Sequence, residues 1–216
     1  NAILTFVDQR TGPWEVYAYK ISFDGTMLWG ADGLTLSASG IDNISPRSAV
    51  LQDNSVVVTW SKNYSSIISQ RISPDGDLLW GDGIPINNLS ASLLSPQPRI
   101  STDGNLLIQW ISQTGPIWAA DSKLYLQKYD LNGISLWNVP TVTVGPVVFP
   151  MGNWLQQLVV DGGSGSFSAW TEMSGNVQSA VVQHIAEDGD LSWVGSVELS
   201  ANSSYFRMSP RLVVSE

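Results

Sequence analysis

One phrase occurs four times along this chain, and each copy ends in tryptophan. It reads Ala18-Tyr19-Lys20-Ile21-Ser22-Phe23-Asp24-Gly25 with Trp29 four residues on, then Ser69-Gln70-Arg71-Ile72-Ser73-Pro74-Asp75-Gly76 with Trp80. It returns as Leu126-Gln127-Lys128-Tyr129-Asp130-Leu131-Asn132-Gly133 with Trp137, and as Val182-Gln183-His184-Ile185-Ala186-Glu187-Asp188-Gly189 with Trp193. The tryptophans stand 51, 57 and 56 residues apart. A fixed period of this order means repeated units, each burying its apolar face only against its neighbours.

A second phrase precedes the first in every unit. Runs rich in β-branched residues end at an aromatic: Ala2–Phe6, Ser55–Trp60, Leu106–Trp110 and Ser166–Trp170. Such runs suit pleated, mostly buried strands. Before three of them lies another short run and a turn signal at Asp53-Asn54, Asp103-Gly104 or Asp161-Gly162. The Asp-Gly or Asn-Gly of the four-fold phrase supplies the positive φ of a tight hairpin. Each unit is therefore four antiparallel strands, a to d, and no segment reads as a helix.

Counting round from Trp193 through the termini to Trp29 gives 52 residues, an ordinary period. The tail Ser209-Pro210-Arg211-Leu212-Val213-Val214 matches Ser45-Pro46-Arg47 and the run after it. It reads as a strand a with no strand b, and the chain opens on a strand b with no strand a. The prediction is an all-β, four-bladed β-propeller of four-stranded antiparallel blades, its ring closed by pairing the N- and C-terminal strands. It forms one domain, with units at residues 209–216 plus 1–37, 45–87, 96–144 and 155–200.

The phrase Ile-x-x-Asp-Gly-x-x-x-Trp followed by Ser-Pro-Arg resembles propeller repeats of secreted and cell-surface bacterial proteins. It is distantly similar to the tryptophan-docking repeats of quinoprotein-type propellers. The Thr-Gly that precedes Trp in those repeats is absent here, so the resemblance implies the fold and no quinone. Fold alone carries no function.

Composition narrows the function classes. The net charge is −9, with ten Lys and Arg among 216 residues, which disfavours binding to nucleic acid phosphates or an anionic membrane surface. No apolar run reaches the roughly 20 residues of a membrane helix. Cysteine is absent, which excludes disulfides and thiolate metal sites and is compatible with an exported bacterial protein. The chain shows no signal segment, and the sequons at Asn43, Asn63, Asn88 and Asn202 are no more than a serine-rich chain produces by chance.

Trp29, Trp80, Trp137 and Trp193 recur once per unit and read as blade-to-blade packing, and Trp60, Trp110 and Trp170 as strand-b core. Asp24, Asp75 and Asp188 precede turn glycines, and Asn132 fills their slot in the third unit, so they read as turn residues rather than calcium ligands. His184, the sole histidine, occupies the slot of Lys20, Arg71 and Lys128, a structural position. With no second His and no Cys, neither a nucleophile–base pair nor a zinc site can be assembled. No catalytic residue, metal or cofactor is predicted. Rim carboxylates Asp8, Glu15 and Glu172 are the remaining candidates for acid–base work, with no spacing that singles out a pair.

Residues that break the repeat mark the binding candidates. Trp14 and Trp118 end similar phrases, Thr11-Gly12-Pro13 and Thr114-Gly115-Pro116-Ile117, in the b–c turns of the first and third units. Trp154 lies in the long d–a connection predicted on the same rim. Arg47, Arg99 and Arg211 follow proline at the start of strand a, near the channel mouth, where the fourth unit has Gln156 and Gln157. Guanidinium forks flanked by aromatic plates suit a glycan or a small anionic ligand. The expectation is a non-catalytic binding or scaffolding module of an exported bacterial protein, secreted, periplasmic or at the cell surface. Its ligand is a glycan, a small anion or a protein partner. The alternatives are a structural spacer or assembly element, including a homodimer or a fragment of a larger propeller, and a rim-carboxylate hydrolase or lyase.

Overall fold

The computed structural model describes residues 1–37, 40–115, 121–142, 156–174, 177–199 and 210–215. The fold is an all-β, four-bladed propeller of antiparallel sheets. The first blade has β1 (Ala2–Asp8), β2 (Glu15–Ile21) and β3 (Leu34–Thr35), and the second β4 (Asn43–Val50), β5 (Val56–Lys62), β6 (Ser66–Ile72) and β7 (Ile84–Asn87). The third has β8 (Ser92–Ile100), β9 (Leu106–Thr114), β10 (Asp121–Tyr129) and β11 (Thr141–Val142). The fourth has β12 (Gln156–Val160), β13 (Ser166–Ser174), β14 (Val177–Ile185) and β15 (Val197–Glu198). Each sheet runs in sequence order. The chain divides into two compact units, Asn1–Pro98 and Arg99–Glu216.

The first blade corrects one detail. Among the described residues it holds three strands, and residues 210–215 belong to none, Val213 being 89% exposed. In the other blades a tight a–b turn ties strand a to strand b, a local closure of small entropic cost.

Within each unit the docking tryptophan behaves as its periodicity predicts. Trp29 is nearly buried, and its indole Nε1–H donates to the Pro74 carbonyl in the turn of the second blade, at 3.2 Å. Trp137 repeats this on the fourth blade, donating to the Glu187 carbonyl at 2.9 Å. The turn glycine makes room for the ring: a Cβ on Gly189, at φ 93°, would come within 2.7 Å of the Trp137 ring. Around Trp29 gather Val16, Ala18, Leu36, Val56, Val58, Trp60, Ile68 and Ile72. Around Trp137 gather Leu107, Leu126, Leu158 and Ile185. Trp60, Trp110 and Trp170 are buried, as read from the sequence.

Two further devices recur. A buried glutamine in strand c clamps the turn that presents the tryptophan. Gln70 Nε2 donates to the Gly81 carbonyl at 2.7 Å while its Oε1 accepts from Trp80 N at 3.0 Å. Gln127 Nε2 donates to the Trp137 carbonyl and Gln183 Nε2 to that of Trp193, each at 3.2 Å. The next residue is basic and pairs with the acid of its own a–b turn: Arg71 with Asp53 at 2.6 Å, Lys128 with Asp103 at 2.6 Å, His184 with Asp161 at 2.8 Å. The structural reading of the His184 slot thus has a mechanism.

The Lys128 pair is the most buried of these, its side chain only 3% exposed. Burial pushes the Asp103 carboxyl up, but bonds from Lys128, Ser101 and Asn105 outweigh it and hold the group well below the usual carboxylate range. A depressed carboxyl stabilises the fold above its unfolded pKa and loses that contribution as the pH falls through the folded value. Asp103→Asn is therefore expected to cost about 1–3 kcal/mol at neutral pH, with the two proteins converging in strong acid. Urea midpoints at pH 7 and below pH ~3 check this, and a gap that stays constant between them refutes it.

Candidate functional site

Strand register builds a cluster that no local motif announces. In the β13–β14 pairing Trp170 lies opposite Val181 and Glu172 opposite Ser179. In the β14–β15 pairing Val181 lies opposite Glu198. Alternate residues of a strand share a face, so Trp170, Glu172, Ser179, Val181 and Glu198 all lie on one side of the fourth blade. It is the side on which Leu158 and Ile185 pack against Leu107, Leu126 and Trp137 of the third. At the end of strand b the apolar packing gives way to a cavity of about 150 Å³, lined by Glu172, Ser179, Val181, Ser196 and Glu198.

The two carboxylates differ in environment. Glu172 is half-buried, and its pKa is raised above 4.5, chiefly by burial and further by the negative charge of Glu198. The indole N–H of Trp170, buried on that face without a partner of good hydrogen-bond geometry, opposes the rise. Glu198 is exposed, and Ser179 Oγ–H donates to its Oε1 at 2.5 Å. One carboxyl is thus biased toward its protonated form, and its neighbour is held as an acceptor. Separate environments for two acids are what acid–base chemistry on one substrate requires. Among the described residues no three His, Cys, Asp or Glu side chains converge on a point where a metal would sit.

Of the rim carboxylates named from the sequence, only Glu172 enters such a pair. Asp8 and Glu15 face each other across β1 and β2, but both are engaged. Arg10 Nε donates to Asp8 at 2.8 Å, and that bond holds the Asp8 carboxyl below its ordinary value. Glu15 is buried and accepts from the Tyr17 hydroxyl at 3.1 Å. Glu198 was not singled out by the sequence.

Four of the six predicted binding residues lie among the described residues, Trp14 and Arg47 in the first compact unit and Arg99 and Arg211 in the second. Trp14 is 39% exposed, its backbone pinned by Asp42 and by Asn43 N–H, which donates to the Trp14 carbonyl at 2.8 Å. Arg47 is exposed and donates to the Pro46 carbonyl, and Arg211 is exposed as well. Arg99 is turned to structural use: its Nε donates to the Leu158 carbonyl of the next blade at 2.9 Å. Trp118 and Trp154 lie outside the described residues. Asn43 is buried, its Oδ1 accepting from Trp60 Nε1 at 3.0 Å, so that sequon is no glycan acceptor.

No family model matches the chain, and no curated protein does. The distant likeness to quinoprotein-type repeats therefore has no family match behind it. Solved structures of similar architecture do match. One is a glycoside hydrolase (TM-score 0.48, 11% identity, covering 92% of this chain and 48% of that one). A second is the endo-arabinase from Bacteroides thetaiotaomicron VPI-5482 (TM-score 0.44, 11% identity, 93% and 78%). A third is the endo-1,5-alpha-L-arabinanase from Thermotoga petrophila RKU-1 (TM-score 0.46, 13% identity, 96% and 60%). The chain spans about half the length of the first. The likeness is one of fold. Against the expectation of a non-catalytic binding or scaffolding module, these matches bear the names of glycan-cleaving enzymes; at 11–13% identity they speak for the fold alone. No helix of the described residues is long and apolar enough to cross a membrane.

Proposed function

We propose that this propeller cleaves glycosidic bonds, with Glu172 as the acid and Glu198 as its partner carboxylate. The observation that supports the reading is the raised pKa of half-buried Glu172 in a cavity shared with Glu198. Glu172 gives its proton to the glycosidic oxygen as the bond from the anomeric carbon breaks. Glu198 takes a proton from the water that adds to that carbon. Ser179, bonded to Glu198, fixes the direction from which the acceptor oxygen faces the water. Both carboxyls are reset when the proton taken by Glu198 returns to Glu172 through solvent.

Trp14 is the proposed sugar platform of the first unit, since an exposed indole beside a turn offers a flat apolar face to a pyranose or furanose ring. Arg47, Arg211, Trp118 and Trp154 are further proposed sugar-binding residues, each on the sequence pattern that singled it out. An exported bacterial setting suits a polymeric glycan substrate, and a chain without cysteine is at no disadvantage there. The test is release of reducing ends from a panel of polysaccharides, arabinan among them. Activity lost in both Glu172→Gln and Glu198→Gln supports the reading, and no cleavage across the panel ends it.

A further inference from the structure

We propose that the cleft between the first and second blades is a second glycan site, selective for a sugar that carries a carboxylate, with Lys62 as its recognition residue. It rests on the glycan-handling reading above. The cavity there measures about 480 Å³, roughly three times that at Glu172. Its walls are Leu36, Ile68, Leu78 and the edge of Trp60, and its polar groups include Ser37, Lys62 and Asp82.

The repeat makes the two cavities counterparts. Lys62 stands two residues after Trp60 and opposite Ser66, as Glu172 stands two residues after Trp170 and opposite Ser179. Both cavities open on the side of the blade that meets its predecessor in the same unit, Trp60 packing with Val16 and Ala18 just as Leu158 packs with Leu107. The fold therefore offers the same recess twice and puts Lys62 in one at the position that the other gives to Glu172. An acid pair can move protons, whereas an ammonium attracts and holds an anion.

Among the described residues neither the Lys62 ammonium nor the Asp82 carboxylate has an ion pair or a side-chain hydrogen bond, and they do not pair with each other. A cation and an anion thus line one recess, separated and both available. A uronate ring answers each: its carboxylate to Lys62 through a charge-assisted bond, its hydroxyl protons to Asp82 and Ser37, and its C–H face to Leu36 and Leu78. Asn43 is fully committed, with Nδ2 on the Ile41 carbonyl at 2.7 Å and Oδ1 on Trp60, and so keeps the wall fixed.

Calorimetric titration with a galacturonate trisaccharide and with its neutral galactose counterpart tests this. The wild-type chain is expected to bind the acidic sugar about tenfold more tightly, the worth of one charge-assisted contact, with the preference shrinking in high salt. Lys62→Met abolishes the preference, while Glu172→Gln keeps it, because that side chain belongs to the other cavity. Equal binding of the two sugars by the wild type overturns the proposal. So does an unaltered preference in Lys62→Met, a loss of it in Glu172→Gln, or tighter binding of an apolar amino acid zwitterion than of the uronate. A Lys62-dependent preference with no hydrolysis would leave this site standing and remove the catalytic one. Hydrolysis with no such preference does the reverse.

Discussion

Trp137→Ala is expected to destabilise the protein by about 3–5 kcal/mol, the usual cost of deleting a buried indole. Three losses combine. The apolar cluster of Leu107, Leu126, Leu158 and Ile185 loses its largest member, and the void cannot collapse because all four sit on hydrogen-bonded strands. The Glu187 carbonyl loses the indole donor at 2.9 Å. The recess shaped by Gly189 is left empty. Trp137→Phe separates these contributions: the ring still fills much of the recess, and the missing N–H accounts for about 0.5–1.5 kcal/mol of the deficit. Gly189→Ala attacks from the other side, with a methyl driven into the ring on a backbone at φ 93°. Urea unfolding of the three variants gives the order. A Trp137→Ala midpoint within error of the wild type would mean that the ring is not the joint between the third and fourth blades.

That joint was legible in the sequence because it depends on a period. Side chains doing the same work in every unit recur at the same place, so Trp29, Trp137 and the turn glycines declare themselves. The glutamine clamp was equally visible, since Gln70, Gln127 and Gln183 each precede the basic residue of the phrase. What identified it was hydrogen bonding to a turn about ten residues downstream, which a repeat count does not reveal. The first blade was read one strand too rich. Sequence likeness between the tail and Ser45-Pro46-Arg47 reports compatible chemistry, and the described residues 210–215 form no strand.

The proposed acid pair was half legible for a different reason. Glu172 could be named as a rim carboxylate, standing two residues past the strand-b aromatic where the other units have Asp8, Lys62 and Ser112. Glu198 sits in a two-residue strand twenty-six positions away, and only the two registers through Ser179 and Val181 put it on the same face. Short edge strands carry too little periodicity to be aligned from sequence. Trp14 and Arg99 illustrate the converse. Trp14 was noticed for departing from the pattern and Arg99 for recurring with Arg47 and Arg211, and Arg99 donates to a neighbouring strand carbonyl.

Glu172→Gln is expected to lower hydrolysis of an unactivated polysaccharide by about 10²–10⁴-fold, the span of a general acid's contribution. The amide keeps the shape and has no proton to transfer. An aryl glycoside whose leaving group departs without protonation should be far less affected, whereas Glu198→Gln should impair both substrates. The pH profile has a fixed sign. Activity needs Glu172 protonated, so it falls as the pH rises through the raised pKa, a limb that burial and Glu198 push upward.

Stability moves the opposite way in the variant. Between the unfolded value near 4.5 and the raised folded value, the native chain holds a proton that the unfolded chain has released. Wild-type stability therefore declines with rising pH across that window, and the deficit persists above it. Glutamine has no such proton, so Glu172→Gln is expected to match the wild type in acid and to unfold at higher urea above the window. Inactive but sturdier is the signature of a carboxyl kept in an unfavourable setting for its chemistry. A variant that loses activity and stability together would instead make Glu172 a packing residue.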